Sequence, residues 1–140
     1  MMSKYQVPVI LALTLGAVGL PALAEGKVAL ADEPHITEQL VAGAAGDILR
    51  QTCPSLSARM FVVWGKLNAL ESYARAQGYT EAEVRAFLKD KAQKARVKAA
   101  AKDYLAAGGA VDGDVESYCV AGRAEIAKGS LVGSLLRSSE

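Results

Sequence analysis

Cys53 and Cys119 are the only cysteines in the chain and stand 66 residues apart. A bond between them would tie the middle of the chain to its last segment, so their oxidation state constrains the fold more than any other feature. Cys53 lies in "RQTCPSLSARM" (50–60), directly before Pro54 and a helical-looking run. At a helix N-terminus a thiol can have a lowered pKa and be reactive. In an oxidising compartment the same residue would be half of a structural disulfide.

The first residues decide between these readings. "MMSKYQ" carries Lys4 and no acid, and "VPVILALTLGAVGL" (7–20) is uncharged and mostly apolar. "PALA" then places Ala22 and Ala24 at the −3 and −1 positions of a cleavage site. This is the layout of a secretory signal peptide, 1–24, cleaved after Ala24. An uncleaved anchor would need about 20 apolar residues, and Pro8, Gly16, Gly19 and Pro21 interrupt this one. A second Ala-x-Ala at Ala29 and Ala31 leaves the cut movable by a few residues. The expected location is therefore the periplasm, and a Cys53–Cys119 disulfide is the expected state. In the chain-entropy model a loop of this length stabilises by roughly 4 kcal/mol.

Lys4 is the only charged residue in 1–24, so the rest of the chain balances its basic against its acidic residues. A neutral body argues against a general polyanion binder. Residues 36–140 form one expected domain, preceded by a flexible lead-in, 25–35, that contains Pro34 and lacks a period. No second long apolar run follows, so no transmembrane segment is expected after processing.

From Ile36 the pattern is helical. Ile36, Leu40, Val41, Ala44, Ile48 and Leu49 recur near 3.6 residues, with Thr37 a candidate cap and an end near Gln51. Gly43 and Gly46 would let another helix approach closely. After the break at Cys53-Pro54, Pro54 or Leu56 opens a second helix with Ser55 a candidate cap. Its stripe is Leu56, Met60, Val63, Trp64, Leu67, Leu70 and Ala74, read as core, and Gly78-Tyr79 ends it. "TEAE" (80–83) is a capping box that opens a long third helix to about Ala107. Its middle must pack through a narrow alanine strip or project into solvent. Asp112 or Asp114 starts a last helix whose inward line runs Val115, Cys119, Gly122, Ile126, Gly129, Gly133 and Leu136, with a possible break at Gly129-Ser130. Nothing reads as a strand. The expected fold is all-α, a small bundle of four to five helices stapled by one disulfide.

Arg85, Lys89, Lys91, Lys94, Arg96, Lys98 and Lys102 face a single acid, Asp90, between 85 and 102. Lys91, Lys94, Lys98 and Lys102 share one helical side, a candidate partner-binding basic face toward an acidic protein or anionic headgroups, against the plainer reading of a solvated face. With no aromatic residue from 89 to 103, stacking on nucleic acid is unsupported. His35 is the only histidine and cannot build a conventional metal site with two oxidised cysteines. Ser55, Ser57 and Ser130 lie near helix starts, where capping explains them, and a serine nucleophile would have only His35 as base. Asp112, Asp114 and Glu116 do not match a calcium loop. Gly129 and Gly133 read as a close-packing pair. No catalytic, cofactor or metal residue is expected.

"CPSLSARM" (53–60), "NALESYARAQGYTEAEVRAFL" (68–88) and "YCVAGRAEIAKGSLVGSLLR" (118–137) resemble a family of short exported alphaproteobacterial proteins catalogued as a domain of unknown function. The resemblance implies no activity and no catalytic residues. It implies a periplasmic accessory role at a membrane complex, the respiratory NADH–quinone oxidoreductase. The expected function is non-enzymatic, through protein–protein contacts. The alternative is a binding module or chaperone for hydrophobic ligands or unfolded chains, which an exposed apolar groove would favour. A basic helix standing clear of a well-filled core would favour the accessory role.

Overall fold

The computed structural model describes residues 27–140, and the signal-peptide reading of 1–24 lies outside the described residues. Helix α1 (Pro34–Thr52) is central: it packs along α4, α5 and α6 and also meets β1 and α2. It starts two residues before the periodicity suggests. Pro34 at the first position needs no N–H partner, and the Glu33 carboxylate, not Thr37, accepts the Ile36 N–H at 2.6 Å. The segment read as a flexible lead-in is held over its described part. Leu30–Asp32 form a 3-10 turn, Lys27 donates to the Gly78 carbonyl, and the Tyr79 hydroxyl donates to the Val28 carbonyl.

At the end of α1, Cys53 takes extended geometry, as a residue before proline must. The helix expected at Pro54 or Leu56 does not start there. Leu56–Ala58 form β1, which pairs antiparallel with β2 (Leu136–Ser138) in the register Leu56↔Ser138, Ser57↔Arg137, Ala58↔Leu136. Three residues are too few to display the period of two that marks a strand. Ser55 caps nothing; its carbonyl accepts the Ser139 N–H at 2.9 Å. Helix α2 (Met60–Ala76) begins only afterwards. At its end Gly78 takes φ +90°, and Tyr79 N–H reaches back to the Ala74 carbonyl at 3.0 Å with its ring buried, as the sequence suggests.

Thr80 and Glu83 form the expected capping box of α3 (Glu81–Lys89). The helix does not continue to Ala107. Asp90 ends α3 in extended geometry and starts α4 (Lys91–Ala107) with its carboxylate accepting the Gln93 N–H at 2.9 Å. Asp-x-x-Gln is itself a helix-start pattern, so this break was legible. The narrow strip holds: Ala101 and Leu105 are buried against the α1 side of the core, and the helix does not stand clear. Asp114 caps α5 (Val115–Lys128), Gly129 takes φ +64°, and Ser130 caps the short α6 (Leu131–Ser134). The breaks at Asp90 and Gly129 bring the count among the described residues to six helices. The fold class is all-α, with the small β1–β2 ribbon as its one departure.

The main core gathers Ala45, Leu49, Cys53, Leu105, Tyr118, Cys119 and Val132 around the disulfide. Cys53 and Cys119 are bonded, with Cα atoms 5.1 Å apart. Val115, placed on the same inward line, is instead exposed in the first turn of α5. Close approach depends on missing side chains. At Gly122 a Cβ would overlap Leu56, and at Gly133 it would overlap the Glu125 carbonyl. Gly46 lies against Leu135, whereas Gly43 has no neighbour in contact. A second cluster, Ile36, Ala74 and Tyr79 with Leu70, Val84 and Phe87, joins α1, α2 and α3.

Glu83 yields a pH prediction. The Lys27 ammonium at 2.7 Å, and then the Thr80 N–H, hold its carboxyl at about 2. A depressed folded value means that its contribution is complete above the ordinary 4.5 and is lost as pH falls toward 2. Thermal unfolding followed between pH 6 and pH 2.5 should show a shallower acid loss in Glu83→Gln than in the parent. Equal slopes would remove Glu83 from the account.

Candidate functional site

Helix α2 carries the least covered apolar surface. Its sequence stripe is broader than α1 can bury. Val63, Leu70 and Ala74 turn toward α1 and the second cluster, while Met60, Trp64 and Leu67 are left 49%, 54% and 55% exposed. Trp64 is therefore a surface residue and not the core residue its position on the stripe suggests. Phe61, one turn from Trp64, is 85% exposed and meets its ring edge-on at 5.7 Å. The segment Arg59–Leu70 contains two cations, Arg59 and Lys66, and no acid.

This face leads into a groove of about 290 Å³ between α2 and α3. Leu40, Leu70, Ala74, Val84 and Phe87 line it, and Leu67 and Leu88 form exposed edges. The ion pairs Glu71–Arg75 and Glu81–Arg85 border it, each one turn apart on its own helix. A concave apolar floor with a charged edge accepts an apolar side-chain row; it supplies no nucleophile or acid–base pair.

A larger hollow, about 750 Å³, lies elsewhere, between the start of α1, α4 and α6. Three of its polar side chains, Tyr104, Ser130 and Arg96, are already engaged. The Tyr104 hydroxyl donates to Glu125 at 2.8 Å, the Ser130 hydroxyl also donates to Glu125, and Arg96 donates to the Ala31 carbonyl at 2.5 Å. Glu125, 4% exposed, further pairs with Lys128 at 2.6 Å. Burial pushes its carboxyl up, but the donors Lys128, Ser130 and Tyr104 outweigh that and hold it below the usual range. It thus stays ionised and joins α4, α5 and α6. Sequence reading passed it over, although an acid at position 125 beside inward Ile126 was the available signal.

The other candidate residues fall apart in space or into structural roles. His35 is exposed and stacks its ring near Tyr73, with centroids 4.4 Å apart. Ser57 receives the Arg137 Nε–H, Asp112 accepts from the Tyr118 hydroxyl, and Glu116 pairs with Arg123. Cys53 is buried in the disulfide, so it is no thiol. Lys91, Lys94, Lys98 and Lys102 are all exposed along α4. Among the described residues, no cluster of three or more histidine, cysteine or carboxylate side chains could hold a metal ion, and no helix is long and apolar enough to cross a membrane.

Comparison with known proteins adds a family and nothing finer. A model for a family of unknown function (DUF5333) matches residues 28–137, which is nearly all of the described chain, and the chain belongs to that family. No curated protein and no solved structure matches it.

Proposed function

We propose that this member of the DUF5333 family is an exported, non-catalytic binding module that receives an apolar segment of another protein on the outer face of α2. The observation that carries the reading is the uncovered row Met60, Phe61, Trp64 and Leu67 leading into the α2–α3 groove. A small domain gains stability by burying such side chains, and a contiguous exposed row of this kind marks an interaction surface. An apolar helix laid into a groove is one of the recurrent modes of peptide recognition. The basic helix packs along α1 instead of standing clear, so the groove, and not α4 alone, supports the binding role. Export to the periplasm rests on the 1–24 pattern and agrees with a disulfide-stapled core. A subunit of a membrane complex, the accessory setting implied by the family resemblance, would be one such partner.

A photo-crosslinking residue at position 61, in the chain expressed in its own cell, tests this. The expected result is one or a few discrete adducts to other proteins, none of which form when the crosslinker sits at exposed Ala124. Trp64 is the single tryptophan, so the same event should shift its emission to shorter wavelength. Absence of adducts at 61, or adducts only at twice the mass of the chain, would overturn the reading; the second would make the occupant another copy.

A further inference from the structure

A second groove borders the lysine row of α4; it shares Leu40, Phe87 and Leu88 with the α2–α3 groove but includes none of Met60, Phe61 and Trp64. Lys94 and Lys98 line it together with Val97 and Gln93. The opposite wall is the α1 row Leu40, Ala44, Asp47, Ile48 and Gln51, and Phe87 and Leu88 close one end. Its volume is about 320 Å³. The floor is apolar and the α4 edge is cationic. Asp47, the one acid lining it, is already held by Arg50 and Gln51, each at 2.5 Å.

The two arginines of this segment and the four lysines of the row differ in their pairing. Arg85 is paired with Glu81 and Arg96 with the Ala31 carbonyl. Lys91, Lys94, Lys98 and Lys102 take part in no ion pair among the described residues. Their steps of three, four and four keep them on one side of α4 over eleven residues, about 16 Å at 1.5 Å per residue. The Gln93 side-chain oxygen is shielded from solvent at the groove and is without a hydrogen-bond partner among the described residues.

We propose that this groove docks an amphipathic helix of a partner protein whose apolar stripe is edged by carboxylates. The apolar floor beside the cationic edge selects this occupant, because a bilayer surface would neutralise the lysine row but leave the concave floor between α1 and α4 unfilled. A helix carrying acids at the same three- and four-residue steps meets all four. Its apolar residues would fill the floor between Ile48, Phe87 and Val97, and a side-chain amide or hydroxyl on it would satisfy Gln93. Exposed ion pairs add little affinity individually, so burial in the groove supplies binding and the lysines set the sign and the rate of encounter.

The probe is a synthetic leucine-striped helical peptide with glutamates at positions i, i+3, i+7 and i+11, labelled for fluorescence anisotropy. It should bind the full folded domain. Binding should weaken at least tenfold in Lys94→Glu/Lys98→Glu and fall as salt is raised, with the far-ultraviolet spectrum unchanged. Phe61→Ser/Trp64→Ser should bind it as the parent does, which separates this site from the α2 face. Failure of the glutamate peptide to bind, or equal binding of its lysine-edged counterpart, would overturn the proposal. So would binding of phosphatidylglycerol vesicles without binding of the peptide, which would assign the groove to lipid.

Discussion

Replacing Cys53 and Cys119 together by alanine should lower the unfolding midpoint by on the order of 15 °C. The bond closes a 66-residue separation. The chain-entropy model assigns such a loop roughly 4 kcal/mol, and each kcal/mol moves the midpoint of a domain this size by about 4 °C. Against a typical total of roughly 5–15 kcal/mol, the remaining stability would be small. Cys53 is also fully buried among Leu49 and Leu56, so truncation leaves a void whose cost adds to that of the lost cross-link. The reduced parent separates the two effects, since it keeps the sulfur atoms and loses only the bond. Thermal denaturation of all three forms is the measurement, and a shift of only a few degrees in the double variant would show that packing alone holds α5 to the end of α1.

Gly133→Ala should be the most damaging glycine-to-alanine change among the described residues. A Cβ there would overlap the Glu125 carbonyl and the Ile126 N–H, which are backbone atoms of α5 and cannot turn aside as a side chain can. The expected loss is at the upper end of the roughly 1–3 kcal/mol that overpacking costs. Because Glu125 also anchors Tyr104 and Ser130, the displacement should propagate to α4. Gly65→Ala is the control. Gly65 is exposed in the middle of α2 with no neighbour in contact, so alanine there should stabilise by about 0.5–1 kcal/mol. Denaturant midpoints of the two variants should move in opposite directions. Equal and small shifts would mean that α6 can slide away from α5 without loss.

Local signals carried much of the architecture. The Thr80 box, the stop at Gly78, the extended Cys53 and the break at Gly129 are each set by a residue and its nearest neighbours, so sequence was enough to place them. The misplacements have an equally physical origin. Periodicity and propensity carry the third helix through Asp90 because its flanks are strong helix formers, although Asp-x-x-Gln offers a restart. The β1–β2 ribbon escaped notice because each strand is three residues long and finds its partner about 80 positions away. The groove on α4 could not be foreseen from its lysines, since its other wall belongs to α1.

By itself the sequence determined that the fold is built from helices, where the capped and glycine-stopped helix ends at Thr80, Gly78 and Gly129 fall, and that Cys53 and Cys119 pair. Those properties depend on local periodicity, on capping chemistry, and on there being two cysteines and no third. Only the tertiary structure decided which apolar residues are covered. Met60, Trp64 and Leu67 lie on the same stripe as Ala74, yet Ala74 is buried and they are not, because α1 spans one edge of α2 and no element among the described residues covers the other. Burial is a property of what stands opposite a side chain, and a single chain's periodicity contains no record of that.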